Sequence, residues 1–177
     1  MTEPEKILLA QATRGIPVSI VAAKDWDARR RRLPAAQRSW ADANGFKGQA
    51  GRLLTLPGEK GDIAGVLVGA DPGGDPFALS KLCRSLPDGI YALADEIGRA
   101  DLLALGWCLE AYGYDRYGKA SQQVARLVCP RGVDRESVLR AARASWQVRD
   151  LVNTPSADMG PDEIEAAAAK LAKAHKA

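Results

Sequence analysis

Arg29-Arg30-Arg31-Arg32, with Lys24 before it and Arg38 after it, is a run of residues that could do chemistry. Guanidiniums pair with phosphate and carboxylate oxygens, so the run could hold nucleic acid, an acidic surface or another subunit. Trp26 and Trp40 flank it, and aromatic rings can stack on bases. The formal net charge of the chain is only +3, too small by itself to imply a polyanion partner. A solvated face explains the arginines, and packing against a core explains the tryptophans. Any DNA binding is expected to be weak, salt-sensitive and indifferent to sequence.

Carboxylates offer a second chemistry. Asp71 and Asp75 lie in the loop Gly69-Ala70-Asp71-Pro72-Gly73-Gly74-Asp75-Pro76. A loop between a strand and a helix is where α/β proteins hold phosphates. Two carboxylates there repel a phosphate, and neither G-x-G-x-x-G nor G-K-[ST] is present. Asp95, Glu96 and Asp101 fall near the expected first turn of a helix, where the helix dipole accounts for them. Asp158, Asp162 and Glu163 could be imagined around a metal, but helix-start chemistry explains all three. His175 is the one histidine, so neither a histidine metal site nor a Ser-His-Asp arrangement can be assembled. Cys83, Cys108 and Cys129 are far apart and read as core thiols, with no C-x-x-C pair among them. The sequence therefore nominates no catalytic, cofactor-binding or metal-binding residue and no cofactor in this chain.

The elements around these residues suit a soluble domain. A chain of 177 residues can bury a sizeable core, and 46% hydrophobic with 27% charged residues is ordinary for a globular protein. No apolar run nears the roughly 20 residues that span a bilayer. The polar start, Met1 to Lys6, is not followed by a signal peptide, so a cytoplasmic location without membrane contact is expected. Strand signals fall at 16–21, 49–56, 63–69, 90–93 and 125–130, with one or two more possible near the N-terminus. Helix signals fall at 27–43, interrupted near Pro34, and at 76–86, 95–112, 134–152 and from Gly160-Pro161 onward. Val138, Ala141, Ala142, Ser145, Val148 and Val152 read as the apolar or small face of the fourth. Alternating strands and helices predict an α/β fold, with a largely parallel or mixed sheet covered on both faces.

Two blocks carry more specific information. Gly106, Leu109, Tyr112, Tyr114, Asp115 and Tyr117 end the long helix at 95–112 in an aromatic knot. Its hydroxyls need partners, which Asp115 or Arg116 could supply. Gly106 costs about 1 kcal/mol relative to Ala in an exposed helix, a cost that close packing against a strand would offset. Arg149, Asp150, Leu151, Asn153, Pro155 and Pro161 form the second block, a Pro-punctuated turn between two helices. The blocks resemble the G-x-x-L-x-x-Y-x-F-D-x-Y and R-D-L-x-N-x-P…P patterns of the leucyl aminopeptidases of the M17 family. Tyr114 stands where that pattern has Phe.

The resemblance implies a macro-domain-like α/β domain at 1–133. A connecting helix and the start of a catalytic domain would follow at 134–177. It implies a parent enzyme that removes N-terminal residues from peptides with two divalent metals, zinc or manganese, in a hexamer. None of the family's metal-binding or catalytic residues has a counterpart in this sequence. The chain alone is thus expected to be inactive, with a role in assembly or substrate access. Its partners would be its own catalytic domain and further copies. Ile164, Ala167, Ala168 and Leu171 form a helix face suited to meet that domain. The alternative is a stand-alone macro-like domain binding a nucleotide or nucleic acid, supported by the Gly73-Gly74 loop and the arginine run.

Overall fold

The computed structural model describes residues 3–118 and 124–176. Strands β1 (Leu8–Leu9), β2 (Ile16–Val21), β3 (Leu53–Pro57), β4 (Ile63–Gly69), β5 (Ile90–Leu93) and β6 (Arg126–Val128) form one sheet. Their order is β1-β6-β5-β2-β4-β3. All neighbours are parallel except the β3–β4 hairpin. The helices are α1 (Pro4–Ile7), α2 (Trp26–Arg32), α3 (Ala35–Ala43), α4 (Leu82–Ser85), α5 (Ala100–Glu110), α6 (Arg135–Asn153) and α7 (Pro161–His175).

Side chains alternate across a strand, and that alternation divides the interior into two cores. Val18 and Ile20 of β2, with Val66 and Val68 of β4, join the larger core with Leu103, Trp107 and Cys108 of α5 and Val138, Leu139, Ala142 and Trp146 of α6. Val21 and Leu67 face the opposite way. They meet Trp26, Ala41 and Phe46 in a smaller core, where the Trp26 and Phe46 rings pack edge to face. The expected mixed α/β architecture with helices on both faces is therefore present, and the long helix α6 follows the sheet.

Several boundaries differ from the sequence expectation for local reasons. The strand expected from 49 begins at Leu53, because Gly48 and Gly51 hold positive φ and turn the chain. That turn lies hard against β4, since a Cβ on Gly69 would stand 1.9 Å from the Gln49 carbonyl oxygen. The helix expected from 95 begins at Ala100, after Arg99 takes a left-handed conformation. Residues Pro76–Lys81 wind as tight 3-10 turns before α4 instead of one α-helix. The strand β1 is only two residues long, too short to give a periodic signal.

The inward stripe of α6 is Val138, Leu139, Ala142 and Trp146, and Val148 and Val152 are 59% and 78% exposed. The bulky Trp146 sets which way the helix faces, so the expected stripe through Val148 and Val152 is corrected. α7 begins as expected at Pro161 and has no buried residue.

Gly106 lies against the 3-10 segment rather than a strand. A Cβ there would stand 2.0 Å from Ser80 Oγ, 2.9 Å from Phe77 Cδ1 and 3.0 Å from Ser80 Cβ. Gly106→Ala is expected to destabilise the fold by about 1–2 kcal/mol, because overpacking outweighs the gain in helix propensity. Gly98→Ala, where a Cβ meets nothing within 4 Å, serves as the control and should be near neutral. Urea unfolding of the two variants checks this.

Candidate functional site

The two sequence blocks are far apart along the chain and lie against each other in space. α5 ends at Glu110, partly covered by neighbouring elements, which leaves its last carbonyls without helical donors. Side chains supply them. Trp146 Nε1 donates to the Cys108 carbonyl at 3.0 Å, and Arg149 Nη1 to that of Leu109 at 2.7 Å. Arg84 Nε donates to the Glu110 carbonyl at 2.7 Å and its Nη2 to that of Tyr112 at 2.8 Å. Two guanidiniums at a helix C-terminus also complement its dipole. Arg149 further stacks over the Tyr112 ring, 5.3 Å from its centroid.

The three tyrosines continue the contact outward. Tyr112 OH donates to Asp150 Oδ1 at 2.8 Å and accepts from Asn153 Nδ2 at 3.1 Å. Tyr114 OH bonds Thr154 Oγ1 at 2.9 Å, and Tyr117 OH donates to Asp158. The partners are thus spaced every four residues along the second block, where the sequence had offered Asp115 or Arg116. Arg116 instead stacks over Tyr117 and sits 3.8 Å from Asp158. The clasp pins the turn between α6 and α7, where Thr154 is buried.

The other candidate residues are mostly spent on structure. Arg29 pairs with Asp95, whose other oxygen accepts from Ile20 N at 3.2 Å. Since α5 starts at Ala100, the helix dipole does not explain Asp95 or Glu96, as the sequence had suggested; Arg29 and β2 explain Asp95. Arg30 grips Asp42 through two bonds, at 2.6 and 2.5 Å, and this holds the Asp42 carboxyl below its ordinary range. Arg31 and Arg32 are exposed. Trp26 is buried, whereas Trp40 is half exposed and donates to the Thr55 carbonyl at 3.0 Å. Asp71 and Asp75 accept from Gly73 N and Phe77 N, which fixes the loop.

Nor do the residues present fit a metal pair. Glu163 closes the start of α7 by accepting from Gly160 N at 2.9 Å, and Asp158 is held by Tyr117 and Arg116. Helix-start chemistry therefore accounts for Glu163 but not for Asp158. Among the described residues no three or more His, Cys, Asp or Glu side chains gather as a metal site would require. Burial pushes the Cys83 and Cys108 thiols up to about 12 and raises that of Cys129. No helix among the described residues is long and apolar enough to cross a membrane.

Comparison with known proteins identifies the family. The family model described as "M17 aminopeptidase, N-terminal domain" matches residues 16–130, more than half of the chain. The chain belongs to this family, and its α/β unit is the family's N-terminal domain. Among solved structures it is similar to the cytosol aminopeptidase of Coxiella burnetii, with a TM-score of 0.85 and 28% identity over 94% of this chain. The bottromycin maturation enzyme BotP, also solved in complex with Mn, shares the fold at a TM-score of 0.64 and 22% identity over 92% of this chain. Tomato leucine aminopeptidase, solved as a mutant, shares it at 0.61 and 17% over 98%. The chain spans 37%, 38% and 43% of the lengths of these three. No curated protein matches it.

The clasp makes a prediction about alkali. Its hydrogen bond to Asp158 moves the Tyr117 phenol from an ordinary 10.0 to about 12. A raised tyrosine pKa means the tether is at full strength below the ordinary value and is lost as pH rises through the raised one. Burial also raises the Tyr91 and Tyr112 phenols, so an ultraviolet phenolate titration should show late ionisation whose amplitude near 12 falls by one tyrosine in Tyr117→Phe.

Proposed function

We propose that this chain is the non-catalytic N-terminal part of a metal-dependent aminopeptidase, and that its role lies in assembly or in access of peptides to the active site. The observation that carries this is the clasp together with what lies outside it. α6 and the turn after it are fixed to the α/β domain, while α7 has no buried residue and Ile164 and Leu171 are exposed. A rigid base presenting an open amphipathic helix suits a domain that positions another. Residues 1–133 form the macro-like domain in this account, and 134–177 form the connecting helix and the entry to the catalytic domain.

The parent is read as a cytoplasmic hexamer, with two zinc or manganese ions and the peptide held by residues outside this chain. The alternative of a stand-alone nucleotide- or nucleic-acid-binding module loses its main support, because Arg29 and Arg30 are committed to Asp95 and Asp42.

The test is an assay of the purified chain with leucine p-nitroanilide and added manganese or zinc. No turnover above the metal blank is expected. Metal-dependent turnover that a chelator abolishes would contradict the proposal.

A further inference from the structure

The concavity between the 3-10 segment and the end of α5 holds a combination that the clasp does not account for. Its volume is about 400 Å³. Three cations line it, Lys81, Arg84 and Arg149, against a single carboxylate, Glu110. Arg84 gives part of its fork to the Glu110 and Tyr112 carbonyls and lies 3.7 Å from the Glu110 carboxylate, and Arg149 gives part of its fork to the Leu109 carbonyl, which leaves further N–H groups of both and a net excess of two cations. In its wall lies Ser80, 5% exposed, and its Oγ is a buried polar atom without a hydrogen-bond partner. A buried hydroxyl left unpaired is costly, and native proteins rarely keep one without a use.

The groups around that hydroxyl suggest its use. Gly106 also lines the concavity, and its missing Cβ leaves the space that Ser80 Oγ fills. Phe77, 42% exposed, packs over the same glycine on the solvent side. An unpaired donor beside an excess of cationic side chains is a setting for a small anion. Its oxygens would take the spare N–H groups and the serine proton in charge-assisted hydrogen bonds.

We propose that this concavity binds a small oxyanion, a phosphate or carboxylate group, held by Lys81, Arg84, Arg149 and the Ser80 hydroxyl. The hydroxyl is closed from water and faces Gly106, so the anion reaches it only with a local rearrangement of the 3-10 segment that carries it. No chemistry on the ligand is implied.

Amide and side-chain NMR of the whole chain, titrated at constant ionic strength with inorganic phosphate and separately with acetate, tests this. Saturable shifts at Ser80, Lys81, Gly106 and the Phe77 ring are expected with at least one of the two, and which one responds identifies the oxyanion. Ser80→Ala removes an unpaired hydroxyl, so its fold and stability should be kept or improved while affinity falls about tenfold. Lys81→Ala, at an exposed position, should also weaken binding. No saturable shift with either anion would overturn the proposal. So would binding unchanged in both variants with their spectra otherwise intact, since that describes adventitious screening of surface charge.

Discussion

A helix that ends inside a protein must find donors for its last carbonyls, and much of this structure follows from how α5 finds them. Cys108, Leu109 and Glu110 each receive a side-chain N–H, from Trp146, Arg149 and Arg84. The Cys108 bond is buried, and leaving that carbonyl unpaired would cost about 1–3 kcal/mol, whereas the Leu109 bond is part-buried and the Glu110 bond exposed, so those two contribute less. Because two of the donors lie on α6, meeting the obligation also sets where α6 lies and how it is rotated. The tyrosines then extend the same contact past the end of α6 and fix the direction in which α7 departs.

The rest of the domain supports this junction. The parallel strands of the sheet hold α5 on one face through a continuous apolar core, while α2 and α3 cover part of the other. Asp134 caps the start of α6 by accepting from Ser137 N, and Arg135 donates to the Leu8 carbonyl, which ties that end of the helix to β1. α6 is therefore held at its N-terminus by the sheet edge and at its C-terminus by the clasp.

Much of this was legible in the sequence. The apolar run of β4, the break at Pro34 and the Pro161 start of α7 follow from composition and periodicity, and each lies where it was expected. The two blocks were recognisable individually by residue type. That they face one another was not, because hydrogen bonds between residues some 40 positions apart leave no periodic trace in one sequence. The tyrosines announced only that they needed partners, and their hydroxyls reach Asp150, Thr154 and Asp158, far along the chain. Asp95 was misassigned for a similar reason. The left-handed turn at Arg99, which delays α5, is a backbone choice that an arginine does not advertise. Ser80 reads as an unremarkable helix serine until the fold places Gly106 against it.

The central claim is that the Tyr112–Asp150 contact is an energetic link between α5 and α6 and not a passive meeting of surfaces. A double-mutant cycle tests it directly, with Tyr112→Phe, Asp150→Ala and the pair compared by urea unfolding. The account predicts a coupling of about 1 kcal/mol or more, as for a part-buried hydrogen bond to a charged group. Single variants whose losses simply add, leaving no coupling, would contradict it.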